Sequence, residues 1–330
     1  MKKTCLVMSL MGAALASPVM AQATLRPSDI PDLVTPPNGL NLGSTSFYDG
    51  FSTLQPGVTV LEYLQQDHST SITNAQGKDS ANFDHPRIDS TVLLNHLSVA
   101  TPFKIGGNVL GFDVLLPITR LSSSFGPRGM QLVDNGTNIG DVTFGPFIQF
   151  KPIMGKKGPV ASFRFAVDVI APTGGFDRKR DLNQSSGYWS VNSYLAWTIL
   201  PAKGWEVSGR TQYLYNTSTS NIANAPTIPG FSFQNGQAGQ LCYSNFTVSR
   251  EVSRGVSFGL NGYGVQQLNN DKINGISLPD TERSALYMGP GLHIDRQPRW
   301  ILNANVYLPV MTKNYATGPQ FNVQIILPLH

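Results

Sequence analysis

Between Gly57 and His330 the sequence breaks into twelve short segments of alternating apolar and polar residues. They span 57–66, 88–100, 106–118, 142–151, 160–170, 188–199, 205–215, 239–252, 255–266, 283–295, 299–310 and 320–329. The gaps between them hold 21, 5, 23, 8, 17, 5, 23, 2, 16, 3 and 9 residues, so every odd-numbered gap exceeds its neighbours. Nothing in the physics of a soluble β-sandwich sorts connections by length in this way. A sheet closed into a barrel across a membrane does, because long loops collect on one side and tight turns on the other. The spacing predicts an all-β fold, a transmembrane antiparallel up-and-down β-barrel of about 12 strands, with both termini on the tight-turn side.

The alternation inside the segments agrees. Phe163, Phe165, Val167 and Val169 share one face of their segment, while Arg164, Ala166 and Asp168 share the other. Trp300, Leu302, Ala304, Val306 and Leu308 oppose Asn303, Asn305 and Tyr307. Phe321, Val323, Ile325, Leu327 and Leu329 oppose Asn322 and Gln324. A half-buried soluble strand shows the same period of two, so the tryptophans carry more weight. Trp197 ends a strand running toward the tight turns, while Trp205 and Trp300 begin strands leaving them, so all three fall at one rim. Trp189 and Tyr213 each lie eight residues away from that rim, at the far end of their strands. Eight tilted residues span about 20 Å, close to the separation of the two aromatic girdles of a membrane barrel. Segment 88–100 is ambiguous: Leu93 and Leu97 share a face with Asn95, and Val92 and Leu94 share theirs with His96.

Only 13% of the residues are charged, against about 25% in soluble domains, which fits a surface facing lipid. Residues 1–23 read as a signal peptide, with Lys2 and Lys3 before an apolar stretch and Ala21-Gln22-Ala23 at the cleavage site. Without Lys2 and Lys3, the 24 Lys+Arg fall to 22 against 20 Asp+Glu, a balance that speaks against a nucleic-acid partner. Pro27, Pro31, Pro36 and Pro37 bar regular structure from residues 24–56, which are expected to hang in the periplasm or fold into the lumen as a plug. The barrel itself is expected over 57–330. Cys242 is the one cysteine of the mature chain, so no internal disulfide can form.

Candidate chemistry is sparse. Gly255-Val256-Ser257-Phe258-Gly259 matches a hydrolase nucleophile pattern, but that motif requires a strand-to-helix turn and here opens a strand. Asp67-His68 and Asp84-His85 flank the first long gap, and a rim hydrolase or protease using either histidine is the enzymatic alternative. No metal-ligand spacing and no phosphate-loop or dinucleotide motif occurs, so neither a metal nor a cofactor is implied. The lumen candidates are Asp113, Arg164, Asp168, Glu206, Arg210, His293 and Asp295, all on polar strand faces. They can form a salt-bridge network filling the interior or a constriction that selects solutes by size and charge. Arg178-Lys179-Arg180 lies in the third long loop and suits either an exposed mixed-charge loop or an outer-leaflet phosphate contact.

The stretch Leu40-Asn41-Leu42-Gly43-Ser44-Thr45-Ser46-Phe47-Tyr48-Asp49-Gly50-Phe51, then Pro56-Gly57 and Thr59-Val60-Leu61-Glu62-Tyr63, resembles a known family. So do Asn108 to Pro117 and Gly145-Pro146-Phe147. The chain is similar, over about residues 40–330, to bacterial outer-membrane proteins associated with the meta-pathway of phenol degradation. The resemblance implies an outer-membrane barrel that takes up aromatic or other hydrophobic compounds. Its expected surroundings are outer-membrane lipid and lipopolysaccharide, its expected cargo a small hydrophobic or aromatic solute. Phe125, Phe231 and Phe233, near strand ends and loops, are candidates for an outer binding surface. Outer-membrane barrels usually end in Phe, whereas this chain ends Leu329-His330. A structural barrel with a closed lumen is the further alternative.

Overall fold

The computed structural model describes residues 25–329; the signal peptide expected at 1–23 lies outside the described residues. One fourteen-stranded sheet dominates, and setting aside the short pieces 137–139 and 153–155 leaves twelve long strands. These are β1 (Gly57–Ser69), β2 (Arg87–Ile105), β3 (Asn108–Ser124), β4 (Val142–Gln149), β5 (Gly158–Ala171) and β6 (Ser190–Ile199). The second half comprises β7 (Trp205–Asn216), β8 (Leu241–Ser253), β9 (Val256–Gln267), β10 (Ser284–Arg296), β11 (Trp300–Lys313) and β12 (Gln320–Leu329). Each overlaps the segment expected from the alternation.

Every strand pairs antiparallel with its sequence neighbours, and β1 pairs with β12 from Val58↔Leu329 to Asp67↔Gln320, which closes the barrel. Closure matters because it leaves no edge with unpaired N–H and C=O groups in a medium that cannot satisfy them. The connections sort as the gap lengths predict. Loops 70–86, 125–141, 172–189, 217–240, 268–283 and 314–319 crowd one end, and turns 106–107, 150–157, 200–204, 254–255 and 297–299 the other. The β2–β3 turn is the two glycines Gly106 and Gly107, both at positive φ (58° and 83°), the backbone a two-residue hairpin turn needs.

The two barrel faces differ as the alternation requires. Phe112, Val114, Leu116 and Ile118 of β3 point outward and are exposed, while Asp113 between them and Thr119 after them are buried. The same split separates Phe165 from Arg164 and Ala166 on β5, and Val306 from Asn305 and Tyr307 on β11. Strand β2 now has a face: Val92, Leu94 and Ser98 are buried inward, with His96 on their side, and Leu93 and Leu97 are exposed outward. Cys242 is half-buried on β8, on the outward side of the buried Tyr243.

The interior is not empty. Tyr263, Tyr287 and Tyr307 form a buried wall, with Tyr263 stacked on Tyr287 (4.9 Å, 7°) and edge-on to Tyr307 (5.5 Å, 77°). At the long-loop end, Ile30, Val34, Tyr188, Ile222, Ala238, Ile273 and Leu278 make a second buried apolar cluster. Residues 236–237, 272–273 and 276–277 add a small three-stranded sheet there.

Candidate functional site

Three sets of polar contacts join residues 32–52 to inward-facing side chains of the wall and to the loop after β9. The prolines explain why this stretch stays extended and irregular, so its backbone groups must bond to wall side chains instead of to a ladder. At the short-turn end Gly50 is clamped on both sides. Its carbonyl accepts from Gln149 Nε2 (3.0 Å) and Ser162 Oγ (2.8 Å), and its N–H donates to Thr198 Oγ1 (2.9 Å). A Cβ at Gly50 would lie 2.4 Å from both Ser162 O and Thr198 N, so only glycine fits. Next to it the fully buried Glu206 accepts from Tyr48 N and from Ser249 Oγ (2.6 Å).

Two arginines occupy the middle. Arg210 donates to Asp49 through Nε (2.9 Å) and Nη2 (2.6 Å), and its guanidinium lies 4.1 Å above the Tyr194 ring. Arg164 pairs with Asp113, donates to Ser52 Oγ (3.2 Å) and lies 3.6 Å over the Phe147 ring. His96 Nε2 approaches the second Asp113 oxygen at 3.2 Å. A buried charge without a partner is costly, and each of these cations has a carboxylate and an aromatic face. Farther along, Asn245 bridges the segment by accepting from Gly43 N (3.0 Å) and donating to Asn41 Oδ1 (2.8 Å), while Tyr307 OH donates to Gly43 O (3.0 Å).

The third set is at the long-loop end. Arg283 donates to Asp32 Oδ2 (2.7 Å) and Val34 O (3.2 Å) on the segment, and to Asp271 Oδ2 (2.7 Å) on the loop after β9. One guanidinium thus faces two carboxylates. Burial raises Asp32 from its ordinary value to about 7, with Asp271 adding to the rise and Arg283 opposing it. Ile30 and Val34 pack into the apolar cluster beside this triad, each contributing roughly 1.5–3 kcal/mol by burial.

Two cavities lie along this segment. The outer one, about 420 Å³, opens among the loops; Leu33, Val34, Ile72, Phe83, Met130, Leu132, Phe176 and Leu182 share its lining with Asp32, Arg283 and a larger number of Asn, Ser, Thr and Asp side chains. The inner one, about 60 Å³, lies in mid-barrel between Leu40, Asn41, Ser44 and Thr45 of the segment and Leu94, His96, Asp113, Leu115, Asp168, Ile170, Asn192, Arg210, Gln212 and Tyr243 of the wall.

Of the lumen residues expected from the sequence, the fold brings Asp113, Arg164, Asp168 and Arg210 to the middle of the barrel. Asp168 is 5% exposed, lines the inner cavity, and its Oδ1 has no hydrogen-bond partner among the described residues. Glu206 and His293 lie toward the short-turn end, where His293 Nδ1 meets Asn303 Oδ1 (2.7 Å) and its ring stacks on Phe47 (5.4 Å). Asp295 caps the β10–β11 turn by accepting from Gln297 N (2.7 Å), beyond His293 and away from the mid-barrel charges. Trp189, Trp205, Tyr213 and Trp300 are exposed, and Trp197 lies over Gly209 on the outward face.

Sequence reasoning missed Asp49, His96 and the Asp32–Arg283–Asp271 triad. Asp49 had a signal, a carboxylate next to glycine in a polar-aromatic stretch, whereas the triad joins residues 251 positions apart. The rim histidines each meet a neighbouring carboxylate: His68 pairs with Asp89, and His85 Nδ1 lies 2.7 Å from Asp84. Ser257 is buried on the inward face of β9, with no helix following it. Phe231 and Phe233 pack edge to face (5.0 Å) against the outer apolar cluster, and Phe125 packs on Phe83 (5.9 Å). Arg178 in the third long loop donates to Asn221 Oδ1 (2.8 Å).

The fold is that of solved outer-membrane proteins. An outer membrane channel from Pseudomonas putida F1 superposes with a TM-score of 0.71 at 15% identity, over 86% of this chain and 98% of that one. The β-domain of the Bordetella autotransporter BrkA gives 0.48 at 10% identity, over 83% and 100%. No curated protein sequence matches the chain. A family model does, over residues 69–325, and the chain belongs to that family, described as the MetA-pathway of phenol degradation.

Proposed function

We propose that this chain is an outer-membrane channel for the passive uptake of small hydrophobic or aromatic solutes, closed by its own N-terminal segment. It sits among outer-membrane lipid and lipopolysaccharide, with the short turns in the periplasm, and Trp189 and Tyr213 at one interface facing Trp197, Trp205 and Trp300 at the other. In this reading the chain is not an enzyme, which fits both its family and its likeness to the Pseudomonas channel.

The observation that carries the reading is the pair of cavities. An apolar cavity of about 150 Å³ accommodates one benzene ring. The outer cavity, at about 420 Å³ and with Leu, Val, Ile, Met and Phe side chains set among more numerous polar ones, exceeds that size, and the inner one, at about 60 Å³, falls below it. A ring therefore fits the outer chamber but passes the middle only when residues 39–45 move off Asp168, Tyr194 and Arg210. The lumen charges Arg164, itself paired with Asp113, and Arg210 then serve twice, holding the segment when it is docked and lining a hydrated path when it is not.

The test is uptake in cells whose outer membrane carries the protein. Toluene is expected to enter faster than in cells with an empty vector, and arabinose at an unchanged rate. Toluene uptake equal to the vector control removes the transport reading.

A further inference from the structure

On the outward face of β1, Glu62 stands between Val60 and Leu64; opposite it on β2, Asn95 stands between Leu93 and Leu97. The lateral neighbours are also apolar: Ile325 of β12 faces Glu62, and Leu116 of β3 faces Asn95. Leu64, Leu93, Leu97, Leu116 and Ile325 are all exposed, so this is lipid-facing surface. Arg120 and Arg250, also outward, lie nearer strand ends, beside Ser122 and across from Trp205. Glu62 and Asn95 are instead set within the apolar belt.

Their hydrogen-bonding capacity is largely unused. Asn95 Nδ2 donates to Leu116 O at 3.2 Å, which leaves its second amide hydrogen and its carbonyl oxygen open. The Glu62 carboxyl has no hydrogen bond among the described residues. Lipid tails offer such groups nothing, and an ionisable residue inside a membrane is normally met by a polar partner. The two residues are also complementary, one a carboxyl and one an amide, side by side on adjacent strands about 5 Å apart. A twofold axis along the membrane normal, passing between β1 and β2, sets each against the other kind on a second copy. Self-complementary placement of this sort is what an isologous contact requires.

We propose that the outward β1–β2 face joins two copies of this chain, with Glu62 of each hydrogen-bonded to Asn95 of the other. Leu64 and Leu93 on the next rung pack across the axis, and Gln66 opposite Thr91 continues the polar contact toward the long loops. The association is independent of what the lumen carries, so it stands or falls separately from the uptake reading.

The full mature protein in lipid nanodiscs tests this by native mass spectrometry, with heat-dependent gel mobility as the check that each variant is folded. The wild type is expected to be a dimer. Glu62→Leu and Asn95→Leu should each weaken association by about tenfold or more, the scale of losing both reciprocal membrane hydrogen bonds. Glu62→Gln keeps a donor and an acceptor and should remain dimeric. In a Cys242→Ser background, Leu64→Cys should be joined to a second copy by a short bis-maleimide cross-linker in outer membranes, and Thr211→Cys on the far side should not. A wild type that stays monomeric, a Glu62→Leu variant that pairs as strongly as wild type, or equal cross-linking at Leu64 and Thr211 overturns the proposal.

Discussion

Replacing Asp49 by alanine isolates the contact that should matter most for holding the segment in place. The change removes both bonds from Arg210, at 2.9 and 2.6 Å, and the acceptor of Thr45 Oγ1 at 2.8 Å. The Arg210 side chain, only 13% exposed, keeps its contact with Tyr194 but loses its counter-charge while the segment remains docked. Breaking a buried ion pair from one side costs about 3–5 kcal/mol, and a polar lumen favours the lower end. About 3 kcal/mol is roughly a 10²-fold shift from docked to undocked. The penalty does not fall on the barrel, whose strands stay paired all round. In planar bilayers, Asp49→Ala should therefore raise the open probability by about 10²-fold with the single-channel conductance unchanged. The double variant Asp49→Leu/Arg210→Met removes both charges and should return to within about tenfold of wild type. An Asp49→Ala channel as closed as wild type, or a double variant more open than the single one, refutes the reasoning.

Gly50→Val acts at the other clamp: a Cβ 2.4 Å from Ser162 O and Thr198 N cannot be seated, so this variant should also open the channel and expose residues 45–55 to added protease in membranes. The outer triad should make docking pH-dependent. Asp32 is raised to about 7 in the folded protein, above an unfolded value near 3.9, so its contribution to docking is fullest below about pH 4 and lost as pH rises toward 7. Open probability should accordingly rise between pH 4.5 and 7, level off above it, and lose most of that slope in Asp32→Asn; a slope of opposite sign contradicts the assignment. Arg283→Met should leave Asp32 and Asp271 facing each other without their shared cation, and release of the outer end should appear as faster cleavage after Leu33 by chymotrypsin.

The barrel was legible because its information is local. A period of two gives each strand two faces, and loop lengths give the strands alternating directions, so Phe165 outside and Arg164 inside follow from neighbouring residues alone. Strand β2 resisted, since Asn95 stands on the lipid face and His96 in the lumen, and both faces otherwise carry leucines or valine. Only pairing with β1 and β3 decides between them. The polar lumen residues were legible as a set but not as contacts. Arg164 and Arg210 find their carboxylates at Asp113 and Asp49, two strands along the wall and on the irregular segment. No periodicity reports such encounters. Asp295 shares the inward parity of His293, yet it turns to cap its own hairpin, because parity says which way a side chain leaves the strand and not how far along the axis it stands.

If residues 25–56 close a lumen that is otherwise open, single-channel recording of the mature protein beside a variant lacking residues 24–50 will separate the two states. The full chain should show brief, rare openings and the deletion a steady, larger conductance, with heat-dependent gel mobility confirming that the barrel is intact. A folded deletion variant that passes no more current than the full chain contradicts closure by this segment.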